Sequence, residues 1–205
     1  MDSKLSKRKM LLVMGSTILA SCTGGITVGD TRRSVDKDIS PRNIEKNEAA
    51  TISALALPNQ PDPGLAAIDR GLANTVGHKL FTVLMVDLSH DKNQRYYSNQ
   101  PGAYPVGGSK PIVRSNDFFR DVVVGGKPRI CRNYEDMKKA FFDHELIRSL
   151  GCESAVNYPI RWDGKTVGTL NLLHQENWYS EADLPAIDVF AGLAIAPLQK
   201  IISQN

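Results

Sequence analysis

The chain has 205 residues and a formal charge of +3, which allows one domain and an appendage or two very small domains. Lys4, Lys7, Arg8 and Lys9, less Asp2, account for the whole excess, so the remainder is close to neutral. Aromatic residues are nowhere interleaved with basic ones, and the electrostatic footprint of a nucleic-acid binder is excluded.

The basic head is followed by an apolar run over residues 10–20. Its length suits the core of a signal peptide and falls short of the roughly 20 residues that a membrane-spanning helix needs. Leu19-Ala20-Ser21-Cys22 comes next and resembles the lipobox of bacterial lipoproteins. The resemblance implies a signal peptide over residues 1–21, lipidation of Cys22 and attachment to the cell envelope. An extension that is not a true signal would instead leave the protein in the cytoplasm. Residues 22–61 are polar, punctuated by Gly and Pro and free of aromatics. Such a stretch buries too little apolar surface to offset its ordering entropy, and it reads as a flexible tether with one apolar island over residues 49–57.

Residues 62–205 read as one folded domain. Asp62 and Pro63 open a helix whose Leu65, Ile68, Leu72 and Val76 share a face, with Gly77 as its stop. Residues 81–88 are apolar on both alternating faces, as in a strand covered on both sides, and residues 95–98 return as its antiparallel partner. Residues 101–111 are a Pro/Gly loop. Ser115 or Asn116 caps a short helix stopped by Gly125-Gly126, and residues 128–131 form an edge strand. Asn133 caps a further helix, with Met137, Phe141 and Ile147 on one side and Gly151 at its end. Residues 153–161 and 166–174 form a hairpin around Asp163-Gly164. Ser180 caps a last helix with a stripe of Leu184, Ile187, Ala191, Ala194, Leu198 and Ile201, kinked by Pro197.

The run Phe81 to Asp87, the stretch Ala155-Val156-Asn157-Tyr158-Pro159-Ile160, the turn and strand Asp163-Gly164-Lys165-Thr166-Val167-Gly168-Thr169-Leu170-Asn171-Leu172, and Trp178-Tyr179 ahead of Ser180 resemble the GAF domain family. The resemblance spans residues 62–202 and implies an α+β fold with a central antiparallel sheet. The first and last helices would pack on one face, and short helices and loops would roof a ligand cavity on the other. It also implies a stand-alone small-molecule-binding or sensory module with no output domain of its own, or a homodimer formed through the terminal helices. The family's tetrapyrrole attachment needs a cysteine beside a histidine in the roof, whereas His144 stands between Asp143 and Glu145.

Tyr104, His144, Cys152, Asn157 and Asn171 are the candidate ligand-binding residues. The asparagines and Thr169 are polar groups inside apolar strands, and buried amides must find partners. Facing the roof they would orient a ligand; facing the helix pair they would bond backbone or each other. Tyr96, Tyr97 and Tyr104 lie beside the Gly/Pro loop, where they either line the cavity mouth or pack in strand and loop. His144 faces either the cavity or solvent, and His78 and His90 read as solvated strand ends. Cys131 and Cys152 are open to three readings: buried small hydrophobes, a structural disulfide, or the thiols of a redox enzyme resembling the GAF-type reductase of free methionine sulfoxide. The four histidines show no metal-ligand spacing. Ligand and cofactor identity do not follow from the residues.

Overall fold

The computed structural model describes residues 37–204. The segment read as a signal peptide and the expected lipidation site, Cys22, lie outside them. The tether expectation needs correction within them, because Pro41–Leu55 is a helix (α1). Ser40 caps it, accepting from the Asn43 amide, and Pro41 occupies its first turn, where a missing N–H costs nothing. Hydrophobic periodicity does not betray α1 because its buried positions are Asn47, Thr51 and Ala54. Asn74 Nδ2 donates to Asn47 Oδ1 at 2.9 Å, and Asn43 Nδ2 donates to the Asn74 carbonyl at 2.9 Å. Asn74 belongs to α2 (Asp62–Thr75), so amides rather than methyl groups hold much of this seam. Gln60 joins the two helices, its Nε2 donating to the Ala54 carbonyl at 2.8 Å and its Oε1 accepting from the Gly64 amide at 3.1 Å.

The six described strands are β1 (Leu80–Asp87), β2 (Lys92–Ser98), β3 (Ser109–Pro111), β4 (Arg129–Cys131), β5 (Ser154–Trp162) and β6 (Lys165–His174). They form one antiparallel sheet in the order β3-β2-β1-β6-β5-β4. The β5–β6 hairpin turns at Asp163 and Gly164, both at positive φ, as a two-residue turn between twisted strands requires. The region read as a Pro/Gly loop contributes β3, which pairs with the start of β2. Between β1 and β2 the register shifts after Val83↔Tyr97, so that Leu84 faces Arg95. This bulge lets Tyr96 and Tyr97 pack into the helix-side core, while Arg95, two residues from Asn93, lines the other side with it.

On one face α2, α5 (Leu184–Leu193) and α6 (Ile195–Ile202) bury Leu65, Ile68, Leu72 and Val76 with Ile187, Ala191 and Leu198 over Phe81, Val83, Leu170 and Leu172. The final helix breaks at Ala194 because Pro197 has no N–H for the Leu193 carbonyl and its ring crowds that oxygen. Gly168 is where α6 meets the sheet, since a Cβ there would stand 2.3 Å from Leu198 Cδ2 and 2.5 Å from the Leu84 carbonyl oxygen. Trp178 Nε1 and Tyr179 Oη, at 2.8 Å each, donate to the Val76 and Gly77 carbonyls beyond the end of α2. Lys37 Nζ reaches Asp183 Oδ2 at 2.7 Å, and Asp183 also accepts from the Ser180 amide at the start of the last helix.

The opposite face carries the roof. Phe118–Val124 is π-helical, with Asn116 Oδ1 accepting from the Phe119 amide at 2.9 Å. The helix read as continuous after Asn133 is two, α3 (Tyr134–Ala140) and α4 (His144–Ser149). Phe141 turns extended between them and carries Asp143 to the sheet side, where it meets Lys110 and Tyr104.

Candidate functional site

Strand alternation sets the floor of the site. Arg129, Asn157, Asn171 and Thr82 stand opposite one another on β4, β5, β6 and β1, and their side chains share the roof face. Arg129 Nε and Nη2 donate to Asn157 Oδ1 at 3.0 and 2.7 Å. Asn157 Nδ2 donates to Asn171 Oδ1 at 2.7 Å, and Asn171 Nδ2 reaches the Thr169 hydroxyl at 3.2 Å and the Thr82 carbonyl at 3.3 Å. The two buried amides are thus partnered in series, and both line the roof-side cavity, which resolves their orientation in favour of the roof.

Above this floor lies a cavity of about 220 Å³. Leu80, Leu84 and Leu173 form its apolar base, β2 and β3 supply Asn93, Arg95 and Lys110, and Phe118, Phe141 and Phe142 close over it. Of the sequence candidates, Tyr104, Asn157 and Asn171 line it. His144 and Cys152 do not, and both expectations are corrected. His144 faces Tyr134, whose hydroxyl is 2.9 Å from Nδ1. Cys152 is buried in the packing beneath α4 with Leu80, Ile147 and Leu173. Of the two histidines read as solvated, His90 is exposed, but the His78 side chain is 3% exposed and pairs with Asp69 Oδ1 at 3.0 Å. Tyr97 also leaves the mouth, donating to Asp69 Oδ2 at 2.7 Å on the helix side.

Cys131 and Cys152 are free and buried, and neither lines the cavity. Burial pushes both thiols up, Cys152 to about 11, despite the opposing Arg129 and Lys79 charges respectively. A nucleophilic cysteine needs the opposite shift and an exposed sulfur. No cluster of three metal-ligating side chains occurs among the described residues.

The residues that sequence reading missed are the charged ones. Arg95 is 6% exposed, with its guanidinium carbon 4.3 Å from the Tyr104 ring centroid and Nη1 donating to the Pro105 carbonyl at 2.8 Å. Its Nε has no partner, nor has the buried Asn93 Oδ1. Lys110 Nζ pairs with Asp143 Oδ1 at 2.8 Å, while Tyr104 donates its hydroxyl to Asp143 Oδ2. Burial lowers the pKa of Arg95, Lys110 and Arg129 alike, and Arg95 and Arg129 depress Lys110 further. Burial would raise Asp143, but Lys110 and Tyr104 hold it below its ordinary value. Burial, then the Asp143 contact, pushes the Tyr104 phenol up. The sequence around them carries no alternation to mark them, since Arg95 stands between Gln94 and Tyr96 and Lys110 between Ser109 and Pro111.

The sequence model of the GAF domain matches residues 65–196. No curated protein matches the chain. Among solved structures, the GAF domain of an Acinetobacter phosphoenolpyruvate-protein phosphotransferase is similar at 11% identity and TM-score 0.61, over 81% of this chain and 98% of that one. The phycoerythrobilin-bound GAF domain of a cyanobacterial phytochrome is similar at 17% identity and TM-score 0.61, over 81% of this chain and 100% of that one. A methyl-accepting chemotaxis protein, residues 122 to 287, is similar at 17% identity and TM-score 0.53, over 78% and 98%. At these identities the likeness speaks for the fold, and together with the match over most of the chain it means that the protein belongs to the GAF domain family.

Proposed function

We propose that this chain is a non-enzymatic sensory module that binds a small molecule in the roof cavity. The observation that supports it is the cavity itself, bounded by buried polar atoms that have no partner, Arg95 Nε and Asn93 Oδ1. Leaving such groups unsatisfied costs about 1–3 kcal/mol each, and a ligand that completes them removes the penalty. A pocket with an apolar base and a few placed polar groups is the usual form of a small-molecule site. A ligand-free dimerisation scaffold has no need of it. The bilin of the similar phytochrome domain belongs to that protein, and no cysteine of the described residues lines the present cavity for such an attachment.

The test is to identify what the protein carries. Native mass spectrometry of the full chain should show a bound small molecule or one captured from a metabolite extract. Ala140→Phe, which fills the cavity from the end of α3, should abolish capture without unfolding the protein. Capture that persists in that variant would move the site elsewhere. Both buried thiols should react with a thiol reagent only after denaturation, whereas rapid reaction of either in the native protein would revive the redox reading.

The same proposal holds the module at the cell envelope through a lipid on Cys22. Fatty-acid labelling and membrane partitioning should both be lost in Cys22→Ala, and an unlabelled, wholly cytosolic wild type would reject the anchor.

A further inference from the structure

We infer that the ligand is a small organic anion, its acidic group held by Arg95, Lys110 and Arg129. This rests on the roof cavity being the binding site and adds the sign of charge and the polar end of the ligand.

Among the described residues three cations line the cavity, and no carboxylate does. Asp143 lies just behind them and is committed to Lys110 and Tyr104. Arg129 spends two donors on the neutral Asn157 amide, and Arg95 has a carbonyl and an aromatic face but no acid. Asp143, Asp117 and Asp121 act on the two arginines only through space, so the site keeps a net positive charge in surroundings that desolvate it. Burying an ion without a counter-charge is unfavourable, and a carboxylate or phosphate in the cavity lined by Arg95, Lys110 and Arg129 supplies one. The cations also share aromatic neighbours: Lys110 and Arg129 stand 5.2 and 5.3 Å from the Phe141 centroid, and Arg95 and Lys110 stand 4.3 and 5.4 Å from that of Tyr104. Leu80, Leu84, Ile147 and Leu173 face the rest of the cavity and suit an apolar body. At about 220 Å³ the cavity lies at the small end of ligand pockets, which favours a compact molecule over an extended chromophore.

Asp143 then has a definite role. It is the internal anion that neutralises Lys110 in the empty site, and an incoming acid competes with it. Because Asp143 stands between α3 and α4, ligand entry would loosen the contact that pins the junction of the two roof helices. This gives the expected sign for a variant that a purely structural carboxylate would not give.

The experiment is calorimetric titration of the full chain with benzoate, phenyl phosphate, inorganic phosphate and the neutral benzamide, in wild type, Arg95→Gln and Asp143→Asn. Benzoate or phenyl phosphate should bind, benzamide should bind at least tenfold more weakly, and Arg95→Gln should weaken the acid by roughly ten- to a hundredfold, as loss of a charge-assisted hydrogen bond does. Asp143→Asn should tighten it. The better of benzoate and phenyl phosphate names the acid, and inorganic phosphate binding as well as either would show that the head group alone is recognised. Circular dichroism and melting of each variant check folding, and if Arg95→Gln does not fold, Lys110→Gln takes its place. Benzamide binding as tightly as the acids, or acid binding untouched by the cation variants, would overturn the anion and leave the binding module standing. Binding of none of the four, with nothing captured in native mass spectrometry, would overturn both.

Discussion

The two faces of the sheet follow different rules. On the helix side Phe81, Val83, Leu170 and Leu172 meet Leu65, Ile68, Leu72 and Phe190, all fully buried and all apolar. On the roof side the sheet presents Thr82, Asn157, Asn171 and Arg95, all buried and all polar. Strand alternation puts both sets within a few ångströms of each other along one backbone. The helix face gains from excluding water and needs only volume and shape. The roof face must partner every polar atom it buries, and where it stops doing so, at Arg95 Nε and Asn93 Oδ1, there is a cavity. Stability is concentrated on one side and specificity on the other.

That division can be broken by mutation. The largest effect is expected at Leu72→Ala, which empties a fully buried position between α2 and the sheet and should cost about 2–5 kcal/mol in urea unfolding. A change within error would mean that the helix-side stripe is not the main core. A smaller loss, about 1–3 kcal/mol, is expected for Asn171→Leu, because Asn157 Nδ2 loses its acceptor while remaining buried. Equal or greater stability in this variant would show that the amide chain is not holding the floor together.

Arg95→Met should behave in the reverse sense. It deletes a buried cation that forms no ion pair, Asp143 acting on it only through space, so the ligand-free protein should be unchanged or about 1 kcal/mol more stable. Clear destabilisation would assign Arg95 to the fold rather than to a ligand. The comparison sharpens further if ligand affinity and stability move in opposite directions at this one residue.

The smallest effect is a pH dependence away from both faces. His174 is stacked on Trp178, with centroids 3.7 Å apart, and burial pushes its pKa down to about 4, helped by Lys79, His78 and Lys37. In the unfolded chain it titrates at its ordinary value near 6.5. The unfolded state therefore takes up the proton first as pH falls, so stability is present above about 6.5 and is lost between 6.5 and about 4. Melting across that range should show a downward slope that His174→Gln reduces. An unaltered slope in the variant would place the acid sensitivity elsewhere.

The apolar face and the punctuation were legible in the chain itself. Helix and strand periodicity picks out Leu65, Ile68, Leu72 and Val76 and the stripe of the last helix, since burial of whole methyl-rich side chains leaves a repeat in the sequence. The Asp163-Gly164 turn, the Asn133 cap and the break upstream of Pro197 follow from local backbone chemistry, which distant residues do not change. Helix α1 was hidden because much of its contact with α2 is by side-chain hydrogen bonds at Asn43, Asn47 and Thr51, and hydrogen-bonded seams carry no hydrophobic period. The break between α3 and α4 was hidden as well, because a continuous helical pattern across Phe141 does not reveal that Asp143 is drawn to Lys110 and Tyr104. Tertiary structure decided the charged part of the site, beyond the Tyr104, Asn157 and Asn171 that the sequence had offered. It separated His144 and Cys152 from the cavity and brought Arg95, Lys110 and Arg129 from three strands to one wall, and charge at a site depends on neighbours that the chain order keeps tens of residues apart.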